Sequence, residues 1–558
     1  LRAAGIPARQ VYTPRWAHTD DNHAWVEVWV DGKWHFMGAC EPAATLDNAW
    51  FNGSVSRALL LHTKVYGDYH GDEDIIQRTP CYTEINVIRG YVPARRTVVT
   101  VLDGGQPVAG ATVSFHIYNY AEFYPVASYQ TGSDGQAALD TGLGDLLVWA
   151  RKGDRFGFAK ASGEQVTVEL SHRLGERFSA DVDIVPPPED PIPAGASPEQ
   201  TAENDRRLQE EDAIRAAHPH GNPEADAFVA AHPERGALLL GMLSEKDRGD
   251  VTRAVLDDVL ATDGGSSDRF VLSPRVEIEP LRPIRAAVLS SGIAARLDGP
   301  DAAARWVRDS IRIVEDRNPQ HLRTAPEAVW RTRCADPVGR DIFFVALCRA
   351  LGFPARLDEV TGKTQYRQDG NWVDVDFGSS AKEQVAPQGT LQLSYAPGGP
   401  VRTPEYYRHY SLTRLERDRS RLMEYEENGP ARDRYTLDEG YYMLTSGKRL
   451  ADGSVLSHVE FFTVEAGAGV AVPLVMRSAE SRISVLGLSV IGTMDAEAPF
   501  LPDGAQQPQS LLSATGRGYF LLAVLGSRDE PTSHAVREMT AAAADLNAWG
   551  RPVVLLGP

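Results

Sequence analysis

Asp21-Asn22-His23-Ala24-Trp25-Val26-Glu27-Val28-Trp29-Val30-Asp31-Gly32-Lys33-Trp34 decides how the chain around it is read. It has the pattern of a strand, a two-residue turn and a second strand. Alternation puts Ala24, Val26, Val28 and Val30 on one face, whose small and branched side chains suit burial, and His23, Trp25, Glu27 and Trp29 on the other. Asp31-Gly32 suits a type I′ turn, because both central residues need positive φ. His23 stands at the entrance of the first strand. An imidazole there, on an aromatic-lined face, is what a Cys–His or Ser–His enzyme needs for its base.

Upstream lies Leu1-Arg2-Ala3-Ala4-Gly5-Ile6-Pro7-Ala8-Arg9, read as a helix end entering a turn and a strand. The same design recurs at Leu347-Cys348-Arg349-Ala350-Leu351-Gly352-Phe353-Pro354-Ala355-Arg356. A strand follows from Thr364, then Asp369-Gly370, then Asn371-Trp372-Val373-Asp374-Val375-Asp376. Helix, G-[IF]-P-A-R, strand, Asp-Gly turn and Trp in one order mark an internal repeat.

Two elements of the first copy, G-I-P-A-R and H-A-W-V-E-V-W-V-D-G-K-W, resemble the transglutaminase-like superfamily of papain-type thiol enzymes. The resemblance implies a helix bearing a nucleophilic Cys before the G-I-P-A-R turn, a His on the next strand and an Asp on the one after. His23 takes the base position. The nucleophile is expected about ten residues before Leu1, so the chain reads as a fragment open at both ends. The acid position falls on Gly38, and Glu41 is the nearest carboxylate able to orient His23. Cys40 follows the His and so lies on the wrong element for the nucleophile. In the second copy the acid position is Asp376, the His position is read as Gln365 or, shifted by one, Tyr366, and Pro337 stands where a thiol is expected, three residues after Cys334. That copy is expected to be non-catalytic, with Cys348 in the core.

The 558 residues divide by composition. The expected fold class is multidomain α+β: papain/transglutaminase-like units, β-sandwich modules and a C-terminal thioredoxin-like α/β segment. Residues 1–80 are the C-terminal part of a truncated transglutaminase-like domain. Residues 85–183 alternate in short strands with Gly and Asp turns, and "PVAGATVSF" and "TGSDGQAAL" resemble carboxypeptidase-regulatory-like sandwiches. Residues 184–198 form a proline-rich linker expected to be extended. Residues 199–377 are helical, with Asp301 as a cap, and lead into the degenerate unit. Residues 378–480 form a second sandwich. Residues 482–558 resemble a truncated thioredoxin-like segment, with a strand, a helix from about Thr532 to Trp549, a second strand, and no thiol in the polar run after Gly526.

The formal charge of −19 argues against nucleic acid, and no apolar run reaches the ~18–20 residues of a membrane span. Four cysteines form no C-x-x-C pair. Cys40 and Cys81 are able to pair in an oxidising compartment or to stay as thiols. His18 and His23 lack a third ligand of suitable spacing, so no metal is expected, nor any cofactor. The expected function is thiol acyl transfer on the amide bonds of a protein or peptide, glycosylated or not: hydrolysis, crosslinking or deglycosylation. The rival reading is a non-catalytic binding or scaffold protein. The appended modules imply a secreted or cell-envelope location.

Overall fold

The computed structural model describes residues 1–39, 42–190, 196–218, 221–315, 318–375, 377, 386–396, 401, 403–426, 429, 432–450, 452–477, 499–502, 507–515, 520–525 and 530–557. It is a mixed α+β chain. The N-terminal unit is one sheet in the order β3-β2-β1-β4-β6-β5. Its strands are β1 (Ala8–Thr13), β2 (His23–Val30), β3 (Lys33–Met37), β4 (His62–Val65), β5 (Ile75–Arg78) and β6 (Thr83–Asn86). The sheet therefore runs past residue 80, and the residues after the hairpin supply β4, β5, β6 and a short helix, α1 (Asn52–Ser56).

The hairpin turn forms as expected, with φ of 48° at Asp31 and 84° at Gly32. The expected faces of β2 hold at Val28, which is buried, and Trp29, which is exposed, but are reversed in its first half. Trp25 and Glu27 are buried, whereas Ala24 is exposed and Val26 half-buried. Residues 49–61 cross the aromatic face, and Trp25 packs there with Phe51, Val55 and Leu61. An aromatic side chain removes more area from water than Ala or Val, so the chain covers the side where that gain is larger.

Beyond this unit, four sheets are stacked with an apolar core between each neighbouring pair. The first pair comes from β7 (Ala94–Asp103), β8 (Gln106–Pro107), β9 (Thr112–Asn119), β10 (Glu122–Gln130), β11 (Gln136–Gly142), β12 (Leu146–Lys152), β13 (Arg155–Ala161), β14 (Gln165–Glu169) and β15 (His172–Arg173). One sheet is β11-β7-β14 with β8 at its edge, and the other is β10-β9-β12-β13-β15. Val99, Phe115, Leu139 and Val148 meet between them. The strand β16 (Phe178–Ile184), expected to close this module, joins a different sheet. It pairs antiparallel with a strand at Val455–Val464.

The intervening residues carry the helices. The linker leaves β16 with Pro186 and Pro187 buried rather than as a free spacer, and Arg57 Nε donates to Pro187 O at 3.1 Å; residues 191–195 lie outside the described residues. Ser197 opens α2 (Pro198–Ala217) with a capping box to Gln200. A small helical core follows from α3 (Pro223–Ala231), α4 (Pro233–Gly241), α5 (Glu245–Asp250), α6 (Arg253–Leu260) and α7 (Arg269–Leu272). A second core runs from α8 (Arg285–Ser290) and α9 (Pro300–Ser310) through β17 (Arg312–Ile313), α10 (Pro326–Thr332) and β18 (Cys334–Ala335) to α11 (Pro337–Ala350). Gly299, not Asp301, is the cap of α9; the Asp301 carboxylate accepts from the Tyr366 hydroxyl instead. The buried helix α11 covers the sheet β19 (Ala355–Leu357), β20 (Thr364–Gln368) and β21 (Asn371–Asp374), and Cys348 lies fully inside the core.

The chain then completes the stack with β22 (Gln388–Ser394), β23 (Tyr410–Leu415), β24 (Ser420–Leu422), β25 (Arg434–Asp438), β26 (Gly440–Arg449), β27 (Val455–Val464) and β28 (Gly469–Pro473). These form the sheets β16-β27-β26-β23-β24 and β25-β22-β28. In β26, Tyr441 and Met443 face the first sheet pair while Tyr442 and Leu444 face the outer sheet. At the C-terminus, Leu521–Val524 and Val553–Leu556 pair in parallel around helices Glu530–Ala541 and Ala543–Trp549, the expected strand–helix–strand order. Residues 478–498 and 526–529 lie outside the described residues. No helix among the described residues is long and apolar enough to cross a membrane.

Candidate active site

His23 opens β2 directly opposite Thr13 of β1. Its ring lies among three aromatics, with centroids 4.7 Å from Phe51, 5.0 Å from Trp50 and 6.0 Å from Trp25. Trp25 in turn stacks on Trp16 at 6.3 Å with the planes 3° apart. Burial of Trp25 requires a partner for its indole N–H, which donates to the Tyr91 hydroxyl at 2.9 Å. That hydroxyl donates to Glu27 at 2.6 Å, and Arg9 closes the chain on the other carboxylate oxygen at 2.5 Å. Burial and the Glu27 carboxylate raise the Tyr91 pKa, so the phenol stays protonated and remains a donor. This network locks the plane of the ring against which His23 rests.

The loop before His23, residues 14–22, is held from outside its own unit. The fully buried Asn119 amide donates to the carbonyls of Trp16, Thr19 and Asp21 at 2.9, 2.8 and 3.2 Å. Arg449 donates to Ala17 O at 2.7 Å and to the Asp20 carboxylate at 2.6 Å. Asn119 belongs to β9 and Arg449 to β26, so both sheet pairs grip the segment that delivers His23. His18, within this loop, is held neutral: burial first, then Arg57 and Arg449, push its pKa down to about 4. Among the described residues no cluster of three His, Cys, Asp or Glu side chains could hold a metal.

Glu41, expected to orient His23, lies outside the described residues, as do Cys40 and the acid-position Asp376. Cys81 is exposed between β5 and β6.

The second hairpin repeats the first in detail. Asp369 and Gly370 have φ of 50° and 83°, and the glycines of the two G-[IF]-P-A-R turns, Gly5 and Gly352, have φ of 77° and 83°. Arg9 pairs with Glu27 and lies 4.1 Å over the Trp34 ring; Arg356 pairs with Gln365 and lies 4.2 Å over Trp372. The register corrects the expected equivalence. Gln365 is the counterpart of Glu27, and it accepts from Arg356 Nε at 2.9 Å as Glu27 accepts from Arg9. Neither Gln365 nor Tyr366 occupies the His position. Counting back from that pair, Thr361 holds the place of His23, in the turn before β20. Gln365 also donates to Asp374 at 2.7 Å. Pro337 is the first residue of α11, capped by Asp336, so the position expected for a thiol is the helix N-terminus.

Residues 1–39 and 285–380 match the family model of the transglutaminase-like superfamily. The two matched stretches coincide with the two hairpins and, in the second, with the helix packed on the sheet. No curated protein matches the chain.

In the second transglutaminase-like stretch, α11 covers the face that carries Ala355 and Tyr366. The equivalent face of the first, carrying Ala8, Gln10, Tyr12 and Val26, borders an open groove of about 580 Å³.

Proposed function

We propose that this chain is part of a transglutaminase-like thiol enzyme that transfers acyl groups from the amide bonds of a protein or peptide. The observation that carries the reading is His23 at the open end of β2, on a hairpin matching the superfamily and fixed by the Trp25–Tyr91–Glu27–Arg9 network. The nucleophilic Cys is assigned to a helix preceding Leu1. By the precedent of α11 on β19 and β20, that helix covers the open face of Ala8, Gln10 and Val26. Asp341, in the first turns of α11, lies within reach of Thr364, the counterpart of Val26 at the start of β20. This supports a geometry in which such a helix presents its N-terminus to the strand end where His23 stands.

The chemistry follows from the residue types. A thiolate adds to the amide carbonyl, the imidazolium of His23 protonates the departing amine, and the thioester is resolved by water or a second amine. Glu41 is assigned to orient the imidazole in place of the family Asp, whose position is Gly38. The second unit, with Thr361 in the His position, serves as a non-catalytic scaffold. The thiol-free C-terminal unit carries no dithiol chemistry. The stacked modules favour a secreted or envelope location and large substrates.

The test uses a chain that begins upstream of the assigned Cys. His23→Ala is expected to lower amide turnover by about 10²–10⁴, the range of general acid–base catalysis. A thiol-reactive probe should label the wild type at that Cys. Unchanged turnover in His23→Ala, or no Cys on the preceding helix, would sink the assignment.

A further inference from the structure

The apolar contact between the two sheet pairs is continuous from Tyr118 to Phe461 but opens into a cavity of about 270 Å³ toward Ser114 and the β23–β24 turn. Its walls include Phe123, Trp149, Phe156, Leu415 and Met443. Two polar atoms of opposite walls are buried there with no hydrogen-bond partner among the described residues, His116 Nε2 on β9 and Thr413 Oγ1 on β23. The neighbouring position on β23 shows the contrast: Ser411 donates to Ala121 O at 2.7 Å and ties the modules together. Thr413, two residues on and on the same face, ties nothing.

The hydrogen-bond roles are fixed. His116 Nδ1 lies 2.6 Å from Phe123 O, and a carbonyl only accepts, so Nδ1 carries the proton. Burial pushes the His116 pKa down to about 4, so the imidazole is neutral and Nε2 is an acceptor. A buried acceptor left unpaired costs about 1–3 kcal/mol. The site thus asks for a donor at His116, while the Thr413 hydroxyl is able to donate to the same oxygen.

We propose that this cavity is a binding site for a small neutral phenol, a single aromatic ring whose hydroxyl donates to His116 and accepts from Thr413. Size agrees: a cavity of about 150 Å³ holds benzene, and this one adds room for substituents. A polyol would set hydroxyl groups against Phe123, Trp149, Phe156, Leu415 and Met443 and leave them unpaired there. At the mouth Arg151 donates to Asp418 O, Arg155 pairs with Asp103 and Arg419 with Glu416, which leaves Arg417 as the cation without an ion pair among the described residues; deeper in, the His116 Nε2 acceptor and the buried Glu122 carboxyl disfavour an anion.

The experiment titrates p-cresol, toluene and glucose into the 558-residue chain by calorimetry, with His116→Phe and Thr413→Val alongside. p-Cresol should bind about tenfold more tightly than toluene, the scale of one buried hydrogen bond. Both variants should keep toluene binding, which reports an intact cavity, and lose the p-cresol preference. Equal affinity for p-cresol and toluene, a preference unchanged in both variants, tighter binding of glucose, or no binding at all would each overturn the proposal.

Discussion

Single residues set the electrostatics of the first sheet as firmly as its packing. His62 and Glu84 face each other on β4 and β6, with His62 Nδ1 3.2 Å from Glu84 Oε1. Burial pushes Glu84 up to about 7, and burial with nearby Lys64 pushes His62 down to about 4; the Tyr12 ring lies against the imidazole. The two groups act oppositely on stability. Glu84 binds its proton more tightly when folded, so its contribution is complete below the ordinary carboxyl pKa near 4.5 and is lost as pH rises through about 7. His62 binds its proton less tightly when folded, so its contribution grows as pH rises from about 4 to 6.5. Glu84→Gln removes only the falling part. Its melting temperature relative to wild type should therefore climb between pH 4.5 and 7; a constant difference across that window would contradict the upward shift that burial gives Glu84.

At the scale of elements, the hairpins were legible because their signals are local. Asp-Gly supplies two residues with positive φ, and Gly5 and Gly352 supply one each. The facing of the first half of β2 was not legible, because it depends on residues 49–61 crossing the aromatic side. The counterpart of His23, read as Gln365 or Tyr366, lies at Thr361 by the Arg356–Gln365 pairing, and the equal spacing back from the two Asp-Gly turns carries the same signal. The runs Leu146–Ala150 and Tyr441–Leu444 carried an unread signal. Their continuous apolarity matches strands covered on both faces, as in a stack of sheets. The grip on the loop of residues 14–22 belongs to this scale too. Asn119→Ala leaves Trp16 O without a donor, while Thr19 O and Asp21 O keep the N–H groups of Asp21 and Trp16, at a cost of about 1–3 kcal/mol. Amide exchange in residues 15–22 should accelerate while the core of β9 stays protected; unchanged exchange in the loop would show that Asn119 does not hold it.

For the whole molecule, β16 is the element that turns separate modules into one body. It leaves the first sheet pair, pairs along Phe178–Ile184 with β27, and Phe178 stacks on Phe461 at 4.3 Å. Arg57 adds a tie, donating to Pro187 O and Asp452 O. Proteolytic nicking between residues 190 and 197 should therefore leave two fragments that co-elute in native gel filtration and separate only in denaturant. Fragments that part under native conditions would show that the modules are independent beads. The same pairing sets a schedule for synthesis. Strand β16 ends at Ile184, yet its partner begins at Val455, so some 270 residues must be translated before the edge is satisfied. At roughly 5–20 residues per second, that is a wait of about 15–50 s with an unpaired strand and an uncovered aromatic sheet face. The nascent chain thus carries this aggregation hazard while the helices of residues 198–350 are being made, and it is during that interval that a chaperone has an exposed strand edge to protect.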